Sequence, residues 1–172
     1  MTGLALAKAA GAVTIITSSS DAKLQVAKDK YGADYGINYK THPDWEKEVL
    51  KLTRGHGADY ILENGGAATI RQSIECVALG GSIAVIGFLS NESRSKEETP
   101  DIIVPLIGKM ASLRGISVGS RQMMDDLVTF VANKNLAMPV DKVFDFTPEG
   151  VVRAFECLEK GEMIGKVCIK FE

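Results

Sequence analysis

The sequence predicts an α/β protein with a doubly wound, mostly parallel sheet covered by helices on both faces. Three observations predict it. Short β-branched runs alternate with stretches of helical period along most of the chain. Glycine or proline stands at most junctions between them, as at Gly11, Gly32, Pro43 and Gly80-Gly81. The length of 172 residues, 45% of them hydrophobic, is enough for a core.

Gly3 to Ala10 is rich in Ala and Leu and reads as a helix stopped by Gly11. Val13 to Thr17 is β-branched throughout and reads as a buried strand. Ser20 or Asp21 can cap the next helix, which runs to about Tyr31 with Leu24, Ala27 and Tyr31 on one face, and Gly32 ends it. Tyr35 to Tyr39 is a short strand, and Pro43-Asp44 opens a helix through Trp45, Val49 and Leu52. Asp59 to Glu63 is a strand running into Asn64-Gly65-Gly66. Thr69 begins a helix with Ile70, Ile74, Val77 and Ala78 inward. Gly80-Gly81 turns into Ser82–Phe88, the clearest strand of the chain. Asn91 to Pro100 is a charged, turn-forming loop. A short helix over Leu106–Met110, a strand over Leu113–Val118 and a helix over Met123–Asn133 follow. The tail has a strand over Lys142–Phe146, a helix over Pro148–Lys160 and a last strand over Lys166–Phe171.

Composition narrows the function. With 20 Lys and Arg against 22 Asp and Glu, the net charge of −2 offers no electrostatic footprint for nucleic acid or an anionic membrane. No apolar run approaches the ~20 residues of a membrane helix, and no signal-peptide order is present, so a cytoplasmic setting is expected. Cys76, Cys157 and Cys168 are far apart among apolar neighbours, and His42 and His56 lie in loop-like sequence. No metal-ligand spacing appears, and no metal site is expected.

In open parallel sheets ligands bind outside the carboxyl ends of the strands. The strand Val13–Thr17 ends in Ser18-Ser19-Ser20, with Lys23 one turn into the helix. An NAD-preferring site places a carboxylate here for the ribose hydroxyls, and a carboxylate repels a 2′-phosphate. Hydroxyls and an ammonium favour that phosphate instead. The plainer alternative is that the serines cap the helix and Lys23 is solvated. Gly65 and Gly66 permit close backbone approach to a flat ligand, or form an ordinary turn. Gly87 admits the same two readings, ligand approach or packing. The G-x-G-x-x-G fingerprint is not found, since Met1 already sits in helical sequence and Gly3 is the only glycine before Gly11.

Several stretches in order resemble the cofactor-binding half of the medium-chain dehydrogenase/reductase superfamily, in its zinc-type alcohol dehydrogenase-like and quinone oxidoreductase branch. They are Leu6–Ala12, Thr17–Leu24, Gly32-Ala33-Asp34, Ile37-Asn38-Tyr39, Gly57-Ala58-Asp59, Gly80–Ile83 and Gly165-Lys166-Val167, and their spacing covers nearly the whole chain. The resemblance implies a Rossmann-like fold binding a nicotinamide dinucleotide, NADP(H) rather than NAD. Ser18, with Ser19 beside it, matches the position that is acidic in NAD-preferring relatives, and Lys23 and Tyr39 match positions that hold the 2′-phosphate. Asn64, Gly65 and Gly66 match the loop over the ribose and diphosphate region. Ile86, Gly87 and Val118 match positions lining the nicotinamide, and Lys166 a basic residue near the diphosphate.

The resemblance further implies a homodimer joined through the strand Leu113–Val118. It places the catalytic domain, its zinc ligands and the first strand of the sheet before Met1, so the expected division is 1–136, a nucleotide-binding domain lacking that strand, and 137–172, an αβ segment that would return to the catalytic domain. Val143, Phe144, Phe146, Val167, Ile169 and Phe171 would then lose their partners. Two functions follow as expectations. One is the NADP(H)-binding portion of an oxidoreductase transferring hydride to or from a carbonyl, alcohol, conjugated alkene or quinone. The other is a truncated, non-catalytic module that binds or dimerises. A methyltransferase is disfavoured because its ribose-binding carboxylate is not found near Ser18.

Overall fold

The structure, a computed structural model, describes residues 1–89, 101–161 and 163–171; the expected loop Asn91–Pro100 lies outside them. The first seven elements are α1 (Thr2–Ala9), β1 (Ile15–Ser18), α2 (Asp21–Tyr31), β2 (Tyr35–Asn38), α3 (Trp45–Leu52), β3 (Ala58–Glu63) and α4 (Ile70–Cys76). They are followed by β4 (Val77–Val85), α5 (Ile103–Lys109), β5 (Ser112–Gly115), α6 (Arg121–Asn133), β6 (Val140–Asp145), α7 (Pro148–Glu159) and β7 (Lys166–Lys170). The alternation is that of a Rossmann-like α/β fold. Two compact units result, one of residues 1–36 and 125–172, the other of residues 37–124.

In the first unit, α2 has a sharply defined start and stop. The Ser20 hydroxyl accepts the Lys23 N–H at 3.4 Å, and Gly32 closes the helix in the left-handed region with φ 70°. Leu4, Ala27 and Ala33 form a small core, joined by Met1, Ile16 and Tyr31. The expectation of a buried β1 is only partly met. Val13 is 74% exposed and Thr17 is exposed, while Ile15 and Ile16 are half-buried. A β-branched run specifies extended backbone, not a cover on each face.

Asp34 ties the turn after α2 to the start of β1. Its carboxylate accepts from the Lys8 ammonium at 2.9 Å, the Thr14 N–H at 2.7 Å and the Thr14 hydroxyl at 2.9 Å. The Lys8 bond first, and then the two Thr14 bonds, hold its pKa down to about 2. A carboxylate depressed in the fold stabilises above its unfolded pKa and loses that contribution as pH falls through the folded value. Asp34→Asn is therefore expected to lower the urea midpoint at neutral pH, with the gap to wild type closing between about pH 4 and about pH 2. A gap that stays constant over that range contradicts the assignment.

The tail of the same unit is a β–α–β segment. Strands β6 and β7 pair in parallel from Val140↔Lys166 to Asp145↔Lys170. Helix α7 is capped by the Thr147 hydroxyl, which accepts the Gly150 N–H at 3.0 Å, with Pro148 in its first turn. Val143, Phe146 and Phe171 are exposed, and the last two stack with ring centroids 4.4 Å apart. Phe144, Val167 and Ile169 are half-buried.

The second unit is built on a three-stranded parallel sheet in the order β3-β4-β5. Its core is Ile74, Val77 and Ile83, all at most 1% exposed, with Ile61, Ile70, Val85, Leu106 and Leu113 packed around them. Val77 and Ala78 are buried as expected but belong to β4, not to the preceding helix; Val77 pairs with Ala58. The next pair is Tyr60↔Ser82, so β4 advances five residues while β3 advances two, and Gly80 absorbs the irregularity with φ 74°.

The strand expected over Leu113–Val118 is shorter than its sequence suggests. It runs from Ser112 to Gly115, and only the Ile116 N–H continues the pairing, donating to the Val85 carbonyl at 2.8 Å. Val118 leaves the strand with φ 47° and is 90% exposed. For a β-branched side chain that backbone conformation is strained. Among the described residues no helix is long and apolar enough to cross a membrane.

Candidate functional site

The strand ends divide between the two units. Ser18, Ser19, Lys23 and Lys166 lie in the first, and Tyr39, Asn64, Gly65, Gly66, Ile86, Gly87 and Val118 in the second.

At the end of β1, Ser18 is the last residue of the strand and its hydroxyl accepts the Ser20 N–H at 3.3 Å. Capping of α2 is done by Ser20, so Ser18 remains a half-buried hydroxyl at the strand tip, with half-buried Ser19 beside it. Asp21 stands in the first turn of α2. The Lys23 ammonium is not merely solvated: it donates to the Gly161 carbonyl at 2.6 Å, just past α7. An ammonium has three donors, and this bond uses one of them. Lys166 is exposed at the start of β7.

At the ends of β3 and β4 the main chain closes on itself. The Glu63 carbonyl accepts the N–H groups of Ile86 and Gly87 at 2.8 and 3.2 Å, and the Asn64 carbonyl accepts the Leu89 N–H at 3.2 Å. The approach is too close for a side chain. A Cβ on Gly87 would stand 2.6 Å from the Asn64 carbonyl oxygen, and one on Gly66, which has φ 85°, would stand 2.9 Å from Phe88 Cα. These two glycines are thus required by packing of protein on protein. Asn64 and Ile86 are exposed nearby, and Tyr39 is exposed one residue past β2.

The residue that sequence reasoning missed is Glu63, 4% exposed. Its Oε1 accepts from the Gly65 N–H at 2.7 Å, the Gly66 N–H at 3.1 Å and the Thr69 hydroxyl at 2.7 Å. Its Oε2 accepts from the Ser73 hydroxyl. A buried carboxylate is tolerated only with such a set of donors. In sequence, an acid at the end of a strand looks solvent-facing; the signal was the train of donors that follows, Gly65, Gly66, Thr69 and Ser73.

Parallel strands alternating with helices, with their carboxyl ends shaped by glycine turns, define a Rossmann-like nucleotide-binding class. The chain belongs to the zinc-binding dehydrogenase family, whose model matches residues 1–133. Its match covers the cofactor-binding half of medium-chain dehydrogenase/reductases. The chain is 42% identical over 169 residues, 98% of its length, to a zinc-type alcohol dehydrogenase-like protein of Schizosaccharomyces pombe, of which the match covers 48%. A solved structure assigned as an alcohol dehydrogenase, from Sinorhizobium meliloti, is 42% identical with a TM-score of 0.85, covering 98% of this chain and 47% of that one. An NAD-dependent alcohol dehydrogenase structure is 32% identical with a TM-score of 0.81, covering 98% and 47%. The chain spans about half the length of these relatives.

The family name raises zinc, and the donor set of the described residues does not fit it. Among the described residues no three His, Cys, Asp or Glu side chains gather where they could hold a metal ion. Burial pushes the Cys76 thiol up to about 12, which keeps it protonated and a poor ligand.

Proposed function

We propose that the chain is the NADP(H)-binding portion of an oxidoreductase that moves hydride between nicotinamide and a carbonyl, alcohol, conjugated alkene or quinone. The hydride chemistry belongs to the cofactor when bound. The protein's part is to hold and orient it. Ser18 and Ser19 would donate hydroxyls to the adenosine ribose and its 2′-phosphate, and Lys23 would add a positive charge. Tyr39 for that phosphate, Asn64, Gly65 and Gly66 as the loop over the ribose and diphosphate region, Ile86, Gly87 and Val118 for the nicotinamide, and Lys166 for the diphosphate rest on the family resemblance. Residues 137–172 are proposed to return to a catalytic domain, and a cytoplasmic setting is proposed with them.

The observation carrying the NADP(H) preference is the tip of β1: it ends in a serine hydroxyl rather than a carboxylate, with Lys23 in the first turn of the following helix. The NAD dependence of one relative is that protein's property. Titration of the full chain by nicotinamide fluorescence is expected to give NADPH at least ~10-fold tighter binding than NADH, a gap of ~1.4 kcal/mol. Equal affinities overturn the preference.

A second reading is favoured by the free edge of β5, which pairs with β4 alone among the described strands. We propose that this edge joins two copies, in a module that dimerises whether or not it carries catalysis. An unpaired edge presents a row of donors and acceptors to another chain. Sedimentation velocity is expected to show twice the 18.5 kDa chain mass, and Leu113→Pro, which blocks edge pairing, to return the monomer. A wild-type monomer at all concentrations contradicts it.

A further inference from the structure

The turn after β3 has the outward look of an anion cradle: two consecutive glycines, two N–H groups on successive residues and a helix behind them. Its hydrogen bonds run the other way. The Gly65 and Gly66 N–H groups point into the protein, to Glu63 Oε1, and so does the Thr69 hydroxyl. The other carboxylate oxygen takes the Ser73 hydroxyl. The acceptor is a carboxylate from the same chain, buried at 4% exposure beneath the turn. Any phosphate reaching this turn would find those donors already used and a carboxylate behind them.

We infer that Glu63 is a positioning residue: it turns the donors of Gly65 and Gly66 inward, so that the β3–α4 turn meets a ligand as a wall without free amide donors and not as a phosphate cradle. The geometry around it supports this. With its donors fixed on Glu63, the turn lies against the end of β4, where Gly66 and Gly87 leave no room for a Cβ. What remains outward is exposed Asn64 and its neighbours. The ligand half of the inference rests on the dinucleotide reading above; the direction of the two amides does not.

The test follows the Gly65 and Gly66 amides in the isotope-labelled full chain. Inorganic pyrophosphate is expected to leave both resonances in place, whereas NADPH shifts them. Pyrophosphate moving them overturns the inference, and this arm needs no variant, so it holds even if a substitution fails to fold. In Glu63→Ala, hydrogen exchange at the two amides should accelerate at least about tenfold and NADPH binding weaken at least about tenfold, the scale of a lost charge-assisted bond. The ratio of NADPH to NADH affinity should stay at its wild-type value, because the 2′-phosphate is read elsewhere. Glu63→Gln, which keeps an accepting oxygen, should recover most of both. Unchanged exchange and affinity in a folded Glu63→Ala overturn it. A wild-type chain that binds no NADPH sinks the cofactor reading and the ligand half with it, while the pyrophosphate and exchange results still decide what Glu63 does.

Discussion

Ile74→Ala is expected to destabilise the chain by about 3–4 kcal/mol. Ile74 is fully buried, in the middle of the core that joins α4 to the parallel sheet. Val77 and Ile83 lie against it, and Ile61, Ile70, Val85, Leu106 and Leu113 surround the cluster. Truncation removes the transfer energy of three carbons and leaves a cavity. The walls come from three strands and two helices, which cannot all move inward together. Urea unfolding should show a lower midpoint with an unchanged slope. A loss below about 1 kcal/mol would mean that the site collapses freely and that this cluster is not the organising core of its unit.

Gly87→Ala is the second large effect, about 2 kcal/mol. The added methyl would stand 2.6 Å from the Asn64 carbonyl oxygen and within 3.2 Å of two more Asn64 backbone atoms. All three are main-chain atoms, so relief requires the turn itself to shift. Gly115→Ala is the matched control, since a Cβ there meets nothing within 4 Å. It should be close to neutral. Equal effects at the two positions would contradict the tight closure of β3 on β4.

Much of the fold was legible because its signals are local. Ser20 before α2 and Gly32 after it state the helix boundaries by their own chemistry, and so do Thr147 and Pro148 for α7. The order of strands and helices followed from β-branched runs separated by turn residues. What was not legible depended on distant partners. Ile70, Ile74, Val77 and Ala78 have helical spacing, yet Val77 and Ala78 belong to β4, where Val77 pairs with Ala58, nineteen positions earlier. The strand through Leu113 stops at Gly115, with only the Ile116 N–H bonded to β4 beyond it, although Ile116 and Val118 are good strand formers. The glycines at the strand ends were visible as close-approach positions. That backbone of the same chain approaches Gly66 and Gly87 could be learned only from the fold.

The site follows the same division. That Ser18 ends β1 and Lys23 stands in the first turn of α2 was readable because the two positions are near in sequence. The bond from Lys23 to the Gly161 carbonyl joins residues 138 positions apart and left no trace in the pattern. Glu63 was hidden for a different reason: burial of a charge cannot be read from the residue itself, only from the donors gathered around it.

We propose that the tip of β1 receives the phosphate on the adenosine ribose. The 31P resonances of NADPH, followed while the chain is added, test it most directly. The 2′-phosphate signal is expected to shift with wild type and to stay near its free position with Lys23→Glu at the same occupancy. A 2′-phosphate signal that does not move while the diphosphate signals do would contradict it.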